Sequence, residues 1–308
     1  MNGMVAGSEA ARTGSVGLDD AYAECGRIVR ASGSSFHQAF RLLPLERRRS
    51  LEALYAFCRV VDDAADEGAG GAAALGWWRD ELARALAGAA THPVGVALAD
   101  SVRRFAIPPQ HLTEIVDGVA MDLAPQRFAT FAELRRYCYL VAAAVGLATI
   151  PIFGCRDPRS RNYAEALGIA LQLTNITRDL AEDAERGRIY LPLEDLRRFG
   201  YPERELVTHT RNAAFRSLVA FECARAREFY GAARAAVTTV DRRALAAAEG
   251  MRLVYQRVLA KIAAHPDAIF GPPIRLPRYQ KALWAGLAWV RTRVPFGGAA
   301  ASRAGHPA

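Results

Sequence analysis

Apolar residues recur along most of this chain at the three- and four-residue spacing of amphipathic α-helices. The segment after Pro44 shows this period clearly, because Leu51, Leu54, Cys58 and Val61 fall on one helix face. Alternation of apolar and polar residues, which would predict strands, is nearly absent. The pattern therefore predicts a single all-α domain. Its helices are expected at about residues 19–31, 44–66, 77–88, 94–105, 109–122, 130–150, 160–186, 203–239 and 241–264.

A stretch without any charged residue runs from Tyr137 to Cys155. Its 19 residues are long enough to cross a bilayer. It also contains Gly146, Pro151 and Gly154, and it has no neighbouring span with which to assemble. A helix that is apolar on all sides is also typical of the core of a large helical protein. We therefore expect a buried central helix rather than a membrane span.

Composition narrows the classes of function. The 308 residues are 51% hydrophobic and 23% charged, which is enough for a large core. The net charge is +8, but the basic blocks are flanked by acids and lack the interleaved aromatic residues that a single-strand binder needs, so no nucleic-acid binding is expected. The five cysteines form no CxxC pair, which is typical of a reducing cytoplasm and not of a zinc site.

The C-terminal segment is basic, because no acidic residue follows Asp267. Trp284 and Trp289 lie among its basic residues, a composition that suits contact with an anionic membrane surface. The favoured alternative is a helix docked on the core and followed by a tail. We predict an N-terminal tail over residues 1–18, one domain over 19–294 and a C-terminal tail over 295–308.

Two acidic motifs lie late in long helices with apolar flanks. Asp62 and Asp66 are four residues apart, and Asn175, Asp179 and Asp183 repeat the same spacing. Like charges at this spacing destabilise a helix, and carboxylates that converge on one cavity cannot all stay ionised without cations. Magnesium prefers oxygen ligands and is commonly held by a few carboxylates together with substrate phosphates. The two motifs together therefore predict magnesium-dependent diphosphate chemistry on an apolar substrate.

Arginines accompany both motifs. Arg59 precedes Asp62, Arg178 adjoins the second motif, and Arg188 follows it. Guanidinium groups bind phosphate oxygens through paired hydrogen bonds. The alternative for Arg178 is a surface ion pair with Glu182, four residues later.

Three segments carry a resemblance to a known family. They are SGSSFHQAFRLLPLERRRSLEALYAFCRVVDDAADE, YCYLVAAAVG and LGIALQLTNITRDLAEDAERGRIYLP. In this order they resemble the squalene/phytoene synthase family over about residues 20–290. Within the family, the chain looks most similar to the presqualene diphosphate synthases of bacterial hopanoid biosynthesis. The resemblance implies an isoprenoid-synthase-type helical bundle with a central apolar cavity.

The resemblance also implies roles for individual residues. Metal binding, by Mg²⁺ or by Mn²⁺ as a substitute, would fall to Asp62, Asp66, Asp179 and Asp183. Catalytic roles near the diphosphates and in the cavity would fall to Tyr55, Arg59, Tyr137, Arg178, Arg188 and Tyr190. Substrate binding would fall to Ser35, Phe36, Asn175, Tyr255 and Arg275. For each tyrosine the alternative is core packing with a hydrogen-bonded hydroxyl.

The reaction implied is the joining of two farnesyl diphosphates into presqualene diphosphate, through diphosphate ionisation and cyclopropane formation. The alternative is the joining of two geranylgeranyl diphosphates into phytoene. A helical binding protein without catalytic activity is a third hypothesis, which the intact aspartates disfavour. No NADPH is expected, because GAGGAA at residues 68–73 follows a helix and not a strand. We expect a cytoplasmic enzyme, peripheral at the inner membrane face, that passes its product to hopanoid or carotenoid pathway enzymes.

Overall fold

The computed structural model describes residues 17–32, 43–65, 70–124, 126–277, 280, 283–284, 286–288 and 292. Within these residues the chain forms thirteen α-helices, and its only β pairing is an isolated bridge between Arg127 and Ile189. The all-α class predicted from the sequence is therefore confirmed. The helices are α1 (Leu18–Ala31), α2 (Leu45–Ala65), α3 (Gly71–Leu86), α4 (Pro93–Phe105), α5 (Pro109–Met121), α6 (Phe131–Cys138), α7 (Ala144–Phe153), α8 (Arg159–Arg178), α9 (Leu180–Glu185), α10 (Leu193–Arg198), α11 (Glu203–Val207), α12 (Ala213–Ala236) and α13 (Ala246–Ala264).

Helix α8 is the central element. It packs against α12 along most of its length and against α7 on another side. A buried hydrogen bond of 2.9 Å between the Thr174 and Tyr230 hydroxyls ties α8 to α12. Residues from Leu167 to Thr177 on α8 include few exposed positions, which places this helix inside the bundle and its polar side chains next to internal space.

Several predicted helices are shorter or interrupted in the structure. The predicted helix 160–186 is divided at Asp179, whose backbone (φ −100°, ψ 11°) leaves the helical range between α8 and α9. The predicted helix 203–239 is divided into α11 and α12, because the Asn212 side chain accepts the Phe215 N–H at 2.8 Å and caps a new helix there. Helix α3 begins at Gly71, earlier than predicted, and α10 was not predicted.

The charge-free stretch forms α6, a π-helical turn (Tyr139–Ala143) and α7 in one run. The span Phe131–Phe153 is the one described helix that is long and apolar enough to cross a membrane by length and composition. No residue from 137 to 153 is exposed, and the run packs against α5 and α8. Its half-buried side chains face two internal cavities described below.

Two glycines allow α7 and α8 to approach closely. A Cβ atom built on Gly168 would lie 2.6 Å from the Cα of Ala143, and one built on Gly146 would lie 2.9 Å from the carbonyl oxygen of Ala164. Both contacts are with backbone atoms that cannot turn aside. The two positions therefore need glycine for steric reasons, at the point where the helices border the cavities.

The predicted tails lie almost entirely outside the described residues, and so does most of the basic C-terminal segment. Of that segment, Trp284 is half-buried, and the Arg257 guanidinium of α13 lies 4.1 Å from the centre of its ring. This cation–π contact holds Trp284 against the helical core.

Candidate functional site

A polar chamber of about 450 Å³ opens between α2, α5, the α6–α7 run and the junction of α8 and α9. Its lining contains ten of the residues that the sequence analysis predicts for the site. The predicted site residues in the lining are Tyr55, Arg59, Asp62, Tyr137, Asn175, Arg178, Asp179, Asp183, Arg188 and Tyr190. Residues more than a hundred positions apart in the chain thus meet in one cavity.

One wall of the chamber carries the second acidic motif. The helix bends at Asp179, yet the Asp179 N–H still donates to the Asn175 carbonyl and the Asp183 N–H to the Asp179 carbonyl, each at 2.9 Å. Asn175, Asp179 and Asp183 therefore stay on one side. The Oδ1 atom of Asn175 is buried and has no hydrogen-bond partner among the described groups. A buried amide oxygen without a donor fits a bound cation or a donor group of a ligand.

Arg178 binds its neighbour Asp179 through two hydrogen bonds, of 2.7 Å from Nε and 2.5 Å from Nη2. The side chain of Glu182 pairs with Arg186 at 2.8 Å, so the alternative of an Arg178–Glu182 surface pair does not occur. Arg178 is also hydrogen-bonded to the Tyr255 hydroxyl. The guanidinium is thereby fixed at the edge of the chamber.

The charge of Asp183 depends on its surroundings. Burial, together with the nearby Asp179 and Glu182 carboxylates, raises the pKa of Asp183 to about 7. The Arg188 and Arg186 guanidinium groups act in the opposite direction but are weaker. Excess negative charge in a partly buried site is what a divalent cation would neutralise.

The donor set fits magnesium held with a substrate. In the described part of the chain no three His, Cys, Asp or Glu side chains are close enough to form a metal cage by themselves. Asp179, Asp183 and Asn175 offer only oxygen atoms on one wall, and Asp62 faces the same chamber. Mg²⁺ typically takes one or two carboxylates and completes its octahedron with water and substrate phosphates. The residues present therefore fit Mg²⁺ bound together with a diphosphate.

The first acidic motif lies on α2, on another side of the chamber. Asp62 is 61% exposed toward the chamber and solvent, and Arg59 lies 4.0 Å from it. The closer partner of Arg59 is Asp63, which accepts from its Nε at 3.0 Å. Asp66, the other carboxylate of this motif, lies outside the described residues.

A cluster of one carboxylate and two tyrosines forms the third side. Asp122 accepts a hydrogen bond of 2.8 Å from Tyr137 and another of 2.8 Å from Tyr190. The two tyrosine rings stack with their centres 5.2 Å apart, and Phe128 packs against both. Burial and the Asp122 charge raise the pKa of both tyrosines, so both hydroxyls stay protonated donors.

An apolar cavity of about 290 Å³ adjoins the polar chamber. Leucine, valine, alanine, isoleucine and phenylalanine side chains of α2, the α6–α7 run, α8 and α13 form most of its wall. The two cavities share six lining residues, namely Tyr55, Cys58, Val141, Val145, Gln172 and Asn175. Tyr255 lines the apolar cavity at this shared border and bonds Arg178. The arrangement can hold a charged head and an apolar chain side by side.

The remaining predicted residues are not brought into the site by the described structure. Ser35 and Phe36 lie outside the described residues. Arg275 is exposed and lines neither cavity; its carbonyl accepts from the Lys261 ammonium at 3.4 Å.

The sequence analysis missed several residues of the lining: Cys58, Asp122, Gln172 and Arg186. The signal for Asp122 was a single carboxylate directly after an apolar helix, in the segment MDLAPQRF. Its role became visible only when the fold brought Tyr137 and Tyr190 to it.

Comparisons with known proteins agree with this geometry. A family model described as squalene/phytoene synthase matches residues 29–280. The chain is 34% identical to a phytoene synthase of Arthrospira platensis over 291 residues, 89% of this chain and 94% of the relative. It is also 34% identical to a 15-cis-phytoene synthase of Synechocystis sp. over 295 residues, 90% of this chain and 87% of the relative.

Solved structures give the same fold. A dehydrosqualene synthase crystallised with a ligand superposes with a TM-score of 0.79 at 28% identity, over 89% of this chain and 97% of that one. A squalene synthase from Alicyclobacillus acidocaldarius superposes with a TM-score of 0.74 at 32% identity, over 80% of this chain and 95% of that one. The expected isoprenoid-synthase-type bundle is therefore confirmed.

The expectation of presqualene diphosphate synthesis, and of a hopanoid pathway with it, is wrong. The relatives at about one third identity, from cyanobacteria and from plants, are phytoene synthases. These matches favour the C20 alternative. The motifs that carried the resemblance were assigned to the diphosphate end of the substrate, which is the same for both chain lengths, so they do not distinguish the two.

Proposed function

Because the chain belongs to the squalene/phytoene synthase family, we propose that it is a Mg²⁺-dependent prenyltransferase that joins two geranylgeranyl diphosphates head to head into phytoene. The observation that carries this proposal is the junction of the two cavities, with six lining residues in common. A substrate that is charged at one end and hydrocarbon along the rest matches that division. The phytoene synthases among its relatives indicate the length of the prenyl chain, because phytoene is made from two C20 units.

The polar chamber would bind the diphosphates. Asp179 and Asp183 on one wall, and Asp62 on another, would hold Mg²⁺ ions that the diphosphate oxygens also contact, with Asn175 Oδ1 beside them. The bound metal would neutralise the charge that develops on the departing diphosphate. Manganese, which also prefers oxygen ligands, would substitute.

The arginines would hold the same diphosphates through hydrogen bonds. Arg178 is oriented by Asp179 and Tyr255, and Arg59 and Arg188 face the chamber from two other positions. Fixed guanidinium groups bind an oxyanion with less reorganisation than mobile ones, so the leaving group is stabilised as its charge grows.

The apolar wall and the tyrosines would protect the prenyl cation. The wall excludes water that would otherwise capture it. Tyr137 and Tyr190 present stacked rings at the chamber, and a π face attracts a cation. Both hydroxyls donate to Asp122, which holds the two rings in this position.

The proposed reaction needs no nicotinamide cofactor, because two prenyl chains are joined without net reduction. We also propose that the protein works in the cytoplasm at the inner membrane face, since its product is a lipid that a carotenoid-pathway enzyme must receive. Flotation with vesicles of anionic lipid tests the membrane contact. Protein that stays in the dense fraction at low salt would refute it.

A product assay tests the main proposal. Purified protein is incubated with Mg²⁺ and either geranylgeranyl or farnesyl diphosphate, with and without NADPH, and products are identified by mass spectrometry. We expect a C40 hydrocarbon from the C20 substrate, independent of NADPH, and none from Asp179→Asn. Asp117→Asn, whose partner is the surface residue Arg79, serves as the active control. A C30 product from farnesyl diphosphate with no C40 product would overturn the assignment.

A further inference from the structure

The apolar cavity has a mouth and a far end. On α8 its lining runs from Asn175 and Gln172, which also line the polar chamber, back to Tyr163, and this stretch of helix is about 18 Å long. On the α6–α7 run the lining extends from Val141, shared with the chamber, to Phe153 at the end of α7. Both elements thus place the mouth at the diphosphate site and the far end away from it.

The other two helices agree. On α2 the lining passes from Cys58, at the mouth, to Leu51. On α13 it passes from Tyr255 back to the start of the helix, where Leu245 is the N-cap residue. The four side chains at the far end are all buried, with exposures of 1% for Leu51, 6% for Phe153, 1% for Tyr163 and 0% for Leu245. They form a floor, which we call the cavity floor: Leu51, Phe153, Tyr163 and Leu245.

Tyr163 differs from the rest of the cavity floor, because a polar network behind it holds its ring. Its hydroxyl donates to Glu249 Oε1 at 3.0 Å. Arg252 donates to both Glu249 oxygens, each at 2.8 Å, and to Gln256 Oε1 at 2.8 Å. The hydroxyl and the carboxylate are therefore satisfied away from the cavity. A ring anchored at its distal atom cannot swing aside as an aliphatic side chain can.

The backbone around the cavity floor is fixed as well. Arg47 donates to the carbonyl of Phe153 at 2.7 Å, at the end of α7. The buried Asp241 carboxylate accepts the N–H groups of Arg156 and Asp157 and the Ser160 hydroxyl, so the connection from α7 to α8 is held directly behind the floor. The depth of the cavity is thus set by a rigid structure.

We propose that Tyr163 sets the length of the longest prenyl chain that the protein accepts. Its anchored ring closes the far end of the apolar cavity, and the tail of the substrate stops against this ring. This inference rests on the proposed function, since the occupant of the cavity is the substrate chain. A single methylene in a close-fitting apolar pocket changes discrimination about 10- to 200-fold. One further isoprene unit adds five carbons, so a fixed floor rejects it strongly.

The test compares wild-type protein, Tyr163→Ala and Tyr163→Phe with C15, C20 and C25 all-trans prenyl diphosphates and Mg²⁺. For wild type we expect use of the C20 substrate and no product from the C25 substrate. Tyr163→Ala should raise the kcat/KM ratio of C25 over C20 at least about ten-fold. Arg252 continues to satisfy Glu249 in this variant. Tyr163→Phe keeps the ring but removes its anchoring hydrogen bond to Glu249, so its ratio should lie between those of wild type and Tyr163→Ala.

A second variant keeps the inference falsifiable if Tyr163→Ala does not fold. Leu245→Ala opens the same floor from the N-terminal end of α13 and should shift the ratio in the same direction. A folded variant of either kind with an unchanged ratio would overturn the role of the floor, as would wild-type protein that uses the C25 substrate freely. Wild-type protein that uses only the C15 substrate would overturn the proposed function alone, and the C20 over C15 ratio of Tyr163→Ala would then test the floor. Activity with none of the three would overturn both.

Discussion

At the scale of single residues, the chemistry of the chamber depends on side-chain charges that no neighbouring opposite charge fully neutralises. Arg178 is balanced by Asp179 and oriented by Tyr255. Burial, together with the neighbouring Asp179 and Glu182 carboxylates, raises the pKa of Asp183 to about 7, and Arg188 and Arg186 only partly oppose this rise. Asp183, a proposed metal ligand, is therefore sensitive to protons near neutral pH.

This sensitivity predicts a pH dependence of metal binding. The folded pKa of Asp183 lies above that of an unfolded aspartate, so in the metal-free protein its ionisation destabilises the fold progressively between about pH 4 and pH 7. Below pH 7, protons compete with Mg²⁺, and the concentration of Mg²⁺ for half-maximal thermal stabilisation should rise up to about ten-fold per pH unit. Thermal shift with Mg²⁺ and inorganic pyrophosphate at pH 6 and pH 8 measures this effect.

The matched variant for this measurement is Asp183→Asn, which cannot titrate. Its response to Mg²⁺ should be weak and the same at both pH values. A wild-type response that does not change between pH 6 and pH 8 would contradict the assigned role of Asp183.

Asp122 provides a second prediction at this scale. Asp122→Asn keeps the size of the side chain but replaces one acceptor oxygen by an amide donor, so it can no longer accept from both Tyr137 and Tyr190. A hydrogen bond to a charged group contributes about 1.5–3 kcal/mol, so we expect kcat/KM to fall by roughly one to two orders of magnitude in a folded protein. Steady-state kinetics with the C20 substrate measures it. Asp117→Asn should behave as wild type, and equal losses in both variants would refute a specific role.

At the scale of the elements, the close approach of α7 and α8 fixes the width of the apolar cavity. The π-helical turn (Tyr139–Ala143) lies where Gly168 contacts the backbone of Ala143, and Val141 from this turn lines both cavities. Extra residues within a helix are frequent at functional sites, because they re-aim side chains without ending the helix. The turn therefore directs its side chains to the border between the two cavities.

Gly168→Ala tests this packing. The new methyl group would lie 2.6 to 2.8 Å from backbone atoms of Ala142 and Ala143, so the helices must separate. We expect a loss of about 1–3 kcal/mol in the free energy of unfolding, as is typical of overpacked cores. Gly231→Ala in α12 is the control, because nothing lies within 4 Å of its new Cβ atom. That variant should be stabilised by about 0.5–1 kcal/mol, since alanine is the better helix former. Urea denaturation measures both, and equal stability of the two variants would contradict the steric argument.

At the scale of the whole molecule, a buried charge cluster joins α10 to α12. Arg225 donates to Asp195 at 2.8 Å and to both oxygens of Glu222 at 2.9 Å, and its guanidinium lies 4.0 Å from the centre of the Phe131 ring. Burial raises the pKa of Glu222, while Arg225 opposes that rise. One arginine thus balances two buried carboxylates far from the chamber.

Arg225→Ala should therefore cost about 3–5 kcal/mol of stability at pH 8, because it leaves two buried carboxylates without a cation. Without Arg225 the folded pKa of Glu222, which burial already raises, rises further, so stability should be regained as the pH falls toward 5. Denaturation at pH 5 and pH 8 measures the change. Arg216→Ala removes an exposed pair with Asp267 and should leave the stability nearly unchanged at either pH. A cost for Arg225→Ala that is small or constant with pH would contradict the role of the cluster.

Much of this molecule could be predicted from its sequence, because the patterns involved are local. The period of α2 and the spacing of Asn175, Asp179 and Asp183 predicted a helical bundle with an acidic face. Asp122 depends on two tyrosines that only the fold brings to it, and the break at Asp179 depends on the hydrogen bonds of Arg178. Chain length was predicted wrongly, because it depends on the depth of a cavity formed by four separate helices.

The closed far end of the apolar cavity imposes an order on the departure of products. Among the described residues the floor is buried, so the hydrocarbon would leave past the chamber, where the released pyrophosphate would lie. Pyrophosphate should then leave first, and the uncharged hydrocarbon product, which is insoluble in water, should leave last. Steady-state turnover would be limited by the transfer of a lipid to a receiving phase. Micelles or vesicles should then raise kcat while the rate of a single turnover stays the same.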